Sequence, residues 1–151
     1  MTISFDLDDT LIPGTKRFDT ERQSLLQKIF GLETLRIGTV ELIKELQSKE
    51  HKIYIYTTSF RSTTRIWWTF FLYGIKLDKI INQTVHERTL REKARTHSKY
   101  PPIFNIDIHV DDSKGVETEG HRHNFKTIIV KEDDSAWTDS ILASIALHPS
   151  R

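Results

Sequence analysis

Four short apolar runs, Ile3–Asp6, Ile53–Tyr56, Ile106–Val110 and Thr127–Val130, each end in polar residues, and segments of helical periodicity lie between them. A weaker fifth run, Lys79–Asn82, follows Leu77-Asp78. The spacing predicts a helix over Thr20–Phe30, with Leu25, Leu26 and Ile29 on one stripe, and another over Thr39–Glu50, with Val40, Leu42, Ile43 and Leu46. Ser59 is placed to cap a third that passes through Arg65, Trp67 and Phe71 and stops at Gly74. His86–His97 reads as a polar surface helix, and a last helix, Ser135–Leu147, takes Trp137 as its anchor. Strands alternating with helices imply parallel crossover units. The expected class is α/β: a three-layer α/β/α sandwich around a central, mainly parallel sheet, a single domain spanning 1–151. In such sheets ligands bind beyond the carboxyl ends of the strands, so the residues standing there matter most.

Composition narrows the function classes. The 22 basic and 21 acidic side chains leave a formal charge of +1, so nothing global indicates nucleic acid. The chain has no cysteine, which removes disulfides and thiolate chemistry and suits a reducing, cytoplasmic setting. The N-terminus lacks the basic start and longer apolar core of a secretory signal. No stretch approaches the roughly 18 apolar residues of a membrane span.

The first strand runs into Asp6-Leu7-Asp8-Asp9-Thr10. Side chains two apart on an extended chain face the same way, so Asp6 and Asp8 converge. Two such carboxylates suit a divalent metal, or one attacks phosphorus while the other moves protons. A polar turn with Asp9 or Thr10 capping the next element is the plain alternative. The second strand ends in Thr57-Thr58-Ser59, where a hydroxyl and the following amides suit a phosphate oxygen, or simply cap a helix. The fourth ends in Asp111-Asp112-Ser113; adjacent acids at a buried strand end repel unless a cation lies between them, which favours metal binding. Lys99 precedes Tyr100-Pro101-Pro102 and is placed to neutralise a phosphoryl oxygen; Lys93 is its competitor, and Lys99 is preferred because the proline pair stiffens its entry into the strand.

In this order and setting, the chain resembles the haloacid dehalogenase superfamily of phosphohydrolases. The resemblance rests on Phe5-Asp6-Leu7-Asp8-Asp9-Thr10-Leu11, Ile55-Tyr56-Thr57-Thr58-Ser59, Lys99 and Val110-Asp111-Asp112-Ser113. It implies hydrolysis of a phosphate monoester through an aspartyl-phosphate on Asp6. Asp8 would act as acid and then base, Thr57 would hold the phosphoryl group, and Lys99 would stabilise its charge. It further implies Mg2+ held by Asp6, by the backbone carbonyl of Asp8, and by Asp112 with Asp111 nearby. The second acid, Asp8, favours phosphate chemistry over carbon–halogen cleavage. Residues 12–51 leave room for a short helical insertion in place of a full cap, which implies an open site and a phosphorylated substrate that is small or macromolecular. Leu35-Arg36-Ile37-Gly38 looks like the carboxy-terminal-domain phosphatase branch, with Ile37 where that branch usually has proline.

Other features read as structural first. Arg61 and Arg65 are expected on a solvated helix face, with contact to a substrate phosphate or an acidic group near the open mouth as the second reading. Trp67, Trp68, Phe70, Phe71 and Tyr73 exceed one buried face, so core packing comes first and a dimer or partner patch second. His121 and His123 are expected in a polar loop. Two competitors stand beside the enzyme: a catalytically silent binding or regulatory module, and a phosphoryl-accepting receiver domain. In a receiver the acceptor aspartate would sit where the second strand offers only Thr57.

Overall fold

In the computed structural model, whose described residues are 1–148, the five runs form one sheet. Its strands are β1 (Thr2–Phe5), β2 (Lys52–Tyr56), β3 (Lys79–Ile81), β4 (Ile108–Asp111) and β5 (Lys126–Ile129). The order is β3-β2-β1-β4-β5 and every pairing is parallel. The α/β sandwich expected from the alternation is therefore what the chain adopts. Strand β1 is central: the chain moves from it outward through β2 to β3, then crosses back to β4 on its other side and continues to β5. That reversal opens a crevice just beyond Phe5.

The described residues form six helices: α1 (Leu25–Ile29), α2 (Thr39–Ser48), α3 (Thr63–Phe71), α4 (Gln83–Leu90), α5 (Lys114–His123) and α6 (Trp137–Ala146). Two 3₁₀ turns, Arg91–Arg95 and Pro101–Phe104, lie between α4 and β4. Strand alternation assigns two different faces. Ile3, Phe5, Ile53, Ile55, Ile108 and Val110 join Leu42, Ile43 and Leu46 of α2, Ile66 and Phe70 of α3, and Trp137, Ile141 and Ile145 of α6 in the larger core. The intervening residues face the other way. Tyr56 joins Ile81, Leu90, Phe104 and Ile106 in a second cluster, and Ser4 hydrogen-bonds His109 across the strands at 2.7 Å. The centre of that second face is polar although fully buried, which prepares it for charge.

Several expectations shift. The stretch read as a helix from Thr20 is helical only over Leu25–Ile29, behind a Ser24–Gln27 capping box, while Thr20 bridges to Arg36. Its stripe of Leu25, Leu26 and Ile29 faces solvent, because no strand lies beneath it; Gln27 is the buried member. Ser62, not Ser59, caps α3, because Ser59 is drawn into a turn in which its amide donates to Thr57 Oγ1. The aromatic segment divides: Phe70 is in the core, while Trp67, Trp68 and Phe71 pack on one another with substantial exposure. The segment read as a polar surface helix begins earlier, at Gln83, and buries His86 and Leu90. Residues 121–123, expected in a loop, form the last turn of α5. That helix has little apolar stripe and lies against β5 through Gly120, where a Cβ would come within 2.4 Å of Thr127 Oγ1 and 2.9 Å of the Phe125 carbonyl.

Two tethers fix the start of α2. Gly38, at φ 87, lets the chain turn into α2 close against Thr138 of α6. Trp137 anchors α6 as expected, its indole donating to the Ile37 carbonyl at 3.1 Å. The neighbouring Arg36 is buried against the Trp137 and Phe18 rings and donates to the carbonyls of Lys131, Glu132 and Asp134. Its observed partners make it a clamp on the loop after β5. No helix among the described residues is long and apolar enough to cross a membrane.

Candidate active site

The crevice is furnished by the strand ends. The Asp6 amide extends the ladder past Phe5 by donating to the Val110 carbonyl at 2.8 Å, which pins the residue between β1 and β4. Beyond it the chain closes a tight loop, with the amides of Leu11 and Ile12 donating to the Leu7 carbonyl. Asp9 adopts φ 62 there, and its carboxylate accepts from the amides of Gly14 and Lys16. Asp9 thus holds the loop, and Asp6 and Asp8 remain for other work.

Lys99 reaches Asp6 from the polar face. Its Nζ donates to Asp6 Oδ1 at 2.6 Å and to the Tyr56 carbonyl at 2.7 Å, and lies 3.3 Å from Asp111 Oδ2. Lys93 is exposed on the first 3₁₀ turn, so of the two lysines it is Lys99 that meets the carboxylates. The loop carrying Lys99 is held on both sides. Glu119 of α5 accepts from the amides of Ser98 and Lys99 and from the Ser98 hydroxyl. Tyr56 Oη accepts from the Tyr100 amide at 2.8 Å, so its proton goes to His86 Nδ1 at 2.6 Å, and His86 Nε2 donates to the His97 carbonyl. The Pro101-Pro102 pair, expected to stiffen an entry into strand, opens a 3₁₀ turn instead.

Asp111 and Asp112 close the opposite side. Asp111 Oδ1 accepts from the Ser113 amide and Oδ2 from His109 Nε2 at 3.0 Å, which leaves His109 Nδ1 to accept from Ser4. Asp112 accepts from Thr10 and pairs with Lys16 at 2.7 Å. One oxygen each from Asp6, Asp111 and Asp112 lie within 4.8 Å of one another. An octahedral cation with oxygen ligands at about 2.0–2.1 Å needs its donors about 3–4 Å apart, so this all-oxygen group can hold a hard divalent ion. Lys16 and Lys99 meanwhile supply compensating positive charge. Thr57 is buried at the end of β2; its hydroxyl accepts from Ser59, which leaves its proton free to donate. The Asp8 carboxylate stands outside the acidic group and is turned to Arg61 Nη1 at 2.8 Å.

Burial and charge set the protonation states. Burial pushes the Asp6 carboxyl up to about 6, with Asp111 adding to the rise and Lys99 opposing it. Burial acts in the same direction on Asp111, but the His109 hydrogen bond and the Lys99 charge outweigh it and hold that carboxyl below its usual range. His109 is pushed down to about 4, by burial and then by Lys99, so it stays neutral. Burial would discharge Lys99, yet Asp6 and Asp111 together raise it above its ordinary value.

These shifts give a pH prediction for the metal-free protein. Between about 6.5 and 4 only the unfolded chain protonates His109, so its contribution to stability is lost as pH falls. Between about 6 and 3.8 only the folded chain protonates Asp6, so that contribution grows as pH falls. The two nearly cancel, and the remaining slope comes from groups such as His86, which burial also holds neutral. Asp6→Asn removes the compensation, and urea unfolding at pH 6 and pH 5 should show the variant losing about 1 kcal/mol more than the parent, since Asp6 is already half protonated at the upper pH. Equal slopes would contradict the assignment of that proton to Asp6.

Two participants escaped sequence reasoning, and for a third, Arg61, the second reading describes its place. Arg61 lies in the loop before α3, not on a solvated helix face, and meets the carboxylates of Asp8 and Glu33; its signal was its closeness to Ser59. Lys16 had none beyond its place after the first acidic cluster. His109 was visible as the polar residue between Ile108 and Val110 in a buried strand.

No protein-family model and no curated protein matches this sequence. Among solved structures it is similar to one described as a predicted HAD-like family hydrolase from Porphyromonas gingivalis, at TM-score 0.53 and 13% identity, covering 99% of this chain and 98% of that one. That likeness runs the length of the chain, so the protein has a haloacid dehalogenase-like fold.

Proposed function

We propose that this chain is a magnesium-dependent phosphohydrolase, acting in the cytoplasm, that cleaves a phosphate monoester through an aspartyl-phosphate on Asp6. The observation that carries the reading is the Asp6 carboxylate itself. It stands at the end of the central strand, bonded by a buried lysine and facing two further carboxylates. Asp6 attacks phosphorus, the P–O bond to the leaving group breaks, and Asp8 supplies the proton that group takes. Asp8 then removes a proton from the water that hydrolyses the acyl phosphate, which returns both carboxyls to their starting states. Thr57 and Lys99 donate to the phosphoryl oxygens, where charge is densest in the transition state. Asp6 and Asp112, with Asp111 beside them and the Asp8 carbonyl, would hold Mg2+, which neutralises phosphoryl charge when bound.

The substrate side is open in this reading. The segment between the Asp9 loop and α2 contributes only the five residues of α1 as helix. A panel of phosphate monoesters assayed with magnesium should show turnover on at least one, abolished by chelation and restored by added Mg2+. Turnover that is indifferent to chelation, or none across the panel with folded protein, would overturn the reading.

A further inference from the structure

We propose that Arg61 is a positioning residue for Asp8, anchoring one oxygen of that carboxylate so that the other faces the scissile ester. The proposal rests on the phosphohydrolase reading given above. Asp8 lies on a loop, and its side chain is 41% exposed. A carboxylate in that setting has several rotamers of similar energy, and only some direct an oxygen into the crevice. Arg61 Nη1, at 2.8 Å from Asp8 Oδ2, is what selects among them, and among the described residues Asp8 Oδ1 has no hydrogen-bond partner. One oxygen is therefore a tether and the other is available for proton transfer.

The arginine is itself held rigidly. Its Nε and Nη2 donate to Glu33 Oε1 at 2.7 and 2.6 Å, and Nη1 also reaches Ser59 Oγ at 2.8 Å. Its amide donates to the same Ser59 hydroxyl, and its carbonyl accepts from Asn82 Nδ2 at 2.9 Å. Head and backbone are both fixed, so the guanidinium acts as a fork with one set of prongs in Glu33 and another on Asp8. A lysine could contact either partner but could not span both in this way. The fork joins three parts of the chain that the fold alone does not join: the loop after β1, the loop after β2 and the segment between α1 and α2. A solvated surface arginine would show none of this convergence.

The test separates Asp8's two steps. A nitrophenyl phosphate needs no proton on its leaving group, whereas an alkyl phosphate does. Arg61→Ala should lower kcat on an alkyl monoester by about 10²-fold, the lower end of what general acid–base catalysis contributes, with KM within about threefold. With nitrophenyl phosphate, formation of the aspartyl-phosphate should slow less than tenfold. Its hydrolysis, which still needs Asp8, should fall by the larger factor, so a nitrophenolate burst appears. Combined with Asp8→Asn, Arg61→Ala should add almost nothing, because both act through one group. Arg61→Lys and Glu33→Gln should show the same pattern in weaker form, and they serve if the alanine variant fails to fold.

A raised KM with unchanged kcat would make Arg61 a substrate anchor and overturn the proposal. So would losses that multiply with Asp8→Asn, or equal slowing of the first step for both esters. A parent protein inert on both esters would overturn the phosphohydrolase reading, whereas an active parent matched by Arg61→Ala would overturn this proposal alone.

Discussion

Asp6→Asn is expected to remove phosphate-ester hydrolysis by about four orders of magnitude or more. The substitution is nearly isosteric, and the backbone hydrogen bond that seats Asp6 against Val110 does not involve the side chain. Asparagine can also keep an oxygen toward Lys99, whose other acceptors, the Tyr56 carbonyl and Asp111, are untouched. What disappears is the nucleophile. The loss should therefore come with a thermal midpoint at neutral pH no lower than the parent's, because the ionised, buried carboxyl is a cost to the fold at that pH, and this separates chemistry from folding. A covalent readout sharpens the result. In Asp8→Asn, quenched after exposure to an activated phosphate ester, label should accumulate on the protein; in the double variant with Asp6→Asn it should be absent. Hydrolysis within tenfold of the parent, or label surviving in the double variant, would remove Asp6 from the mechanism.

The strand ends were legible because strands in a parallel sheet end where the apolar run ends, and the residue after that run is forced into the crevice. Asp6 and the Asp111-Asp112 pair could be picked out on that ground alone. Lys99 was harder, since the proline pair that favoured it over Lys93 opens a 3₁₀ turn and not a strand; the distinction comes from Glu119 and Tyr56, which hold its loop from distant parts of the chain. Arg61 was assigned to a solvated helix because Ser59 looked like a cap. The true cap three residues later leaves Arg61 in a loop, and that small displacement turns it toward Asp8. The Leu25, Leu26 and Ile29 stripe shows the opposite failure. Periodicity reports which residues share a helix face, but says nothing of whether the fold provides a surface beneath it. Helix α5 failed for a third reason. Its burial is supplied by Val116 and Gly120, and a helix seated on a glycine has no stripe to read.

Removing the charge of Lys99 should harm stability as well as activity, and the metal-free protein is where this shows. The Lys99 side chain is 3% exposed and lies between Asp6 and Asp111, so Lys99→Met leaves two buried carboxylates facing each other across an apolar side chain. Breaking a buried pair on one side costs about 3–5 kcal/mol. Asp6 offers partial relief, because its carboxyl already binds a proton at about 6 and loses the one nearby cation that opposes that binding. At pH 7 the variant should meet the repulsion by protonating Asp6, which places the expected loss in urea unfolding toward the lower bound, about 3 kcal/mol. Two consequences separate this account from simple loss of packing. Asp6→Asn placed on Lys99→Met should recover much of the stability, since it removes one of the opposed acids; a cavity or a misfit methionine would be indifferent to it. Magnesium should raise the midpoint of Lys99→Met more than that of the parent, because a divalent ion among the same carboxylates replaces the charge that was lost. Activity should fall by about 10²–10³-fold even with saturating metal, the usual effect of deleting one donor to a charge-rich transition state. A Lys99→Met protein as stable as its parent without metal, and uncoupled from Asp6, would show that the ammonium is a bystander.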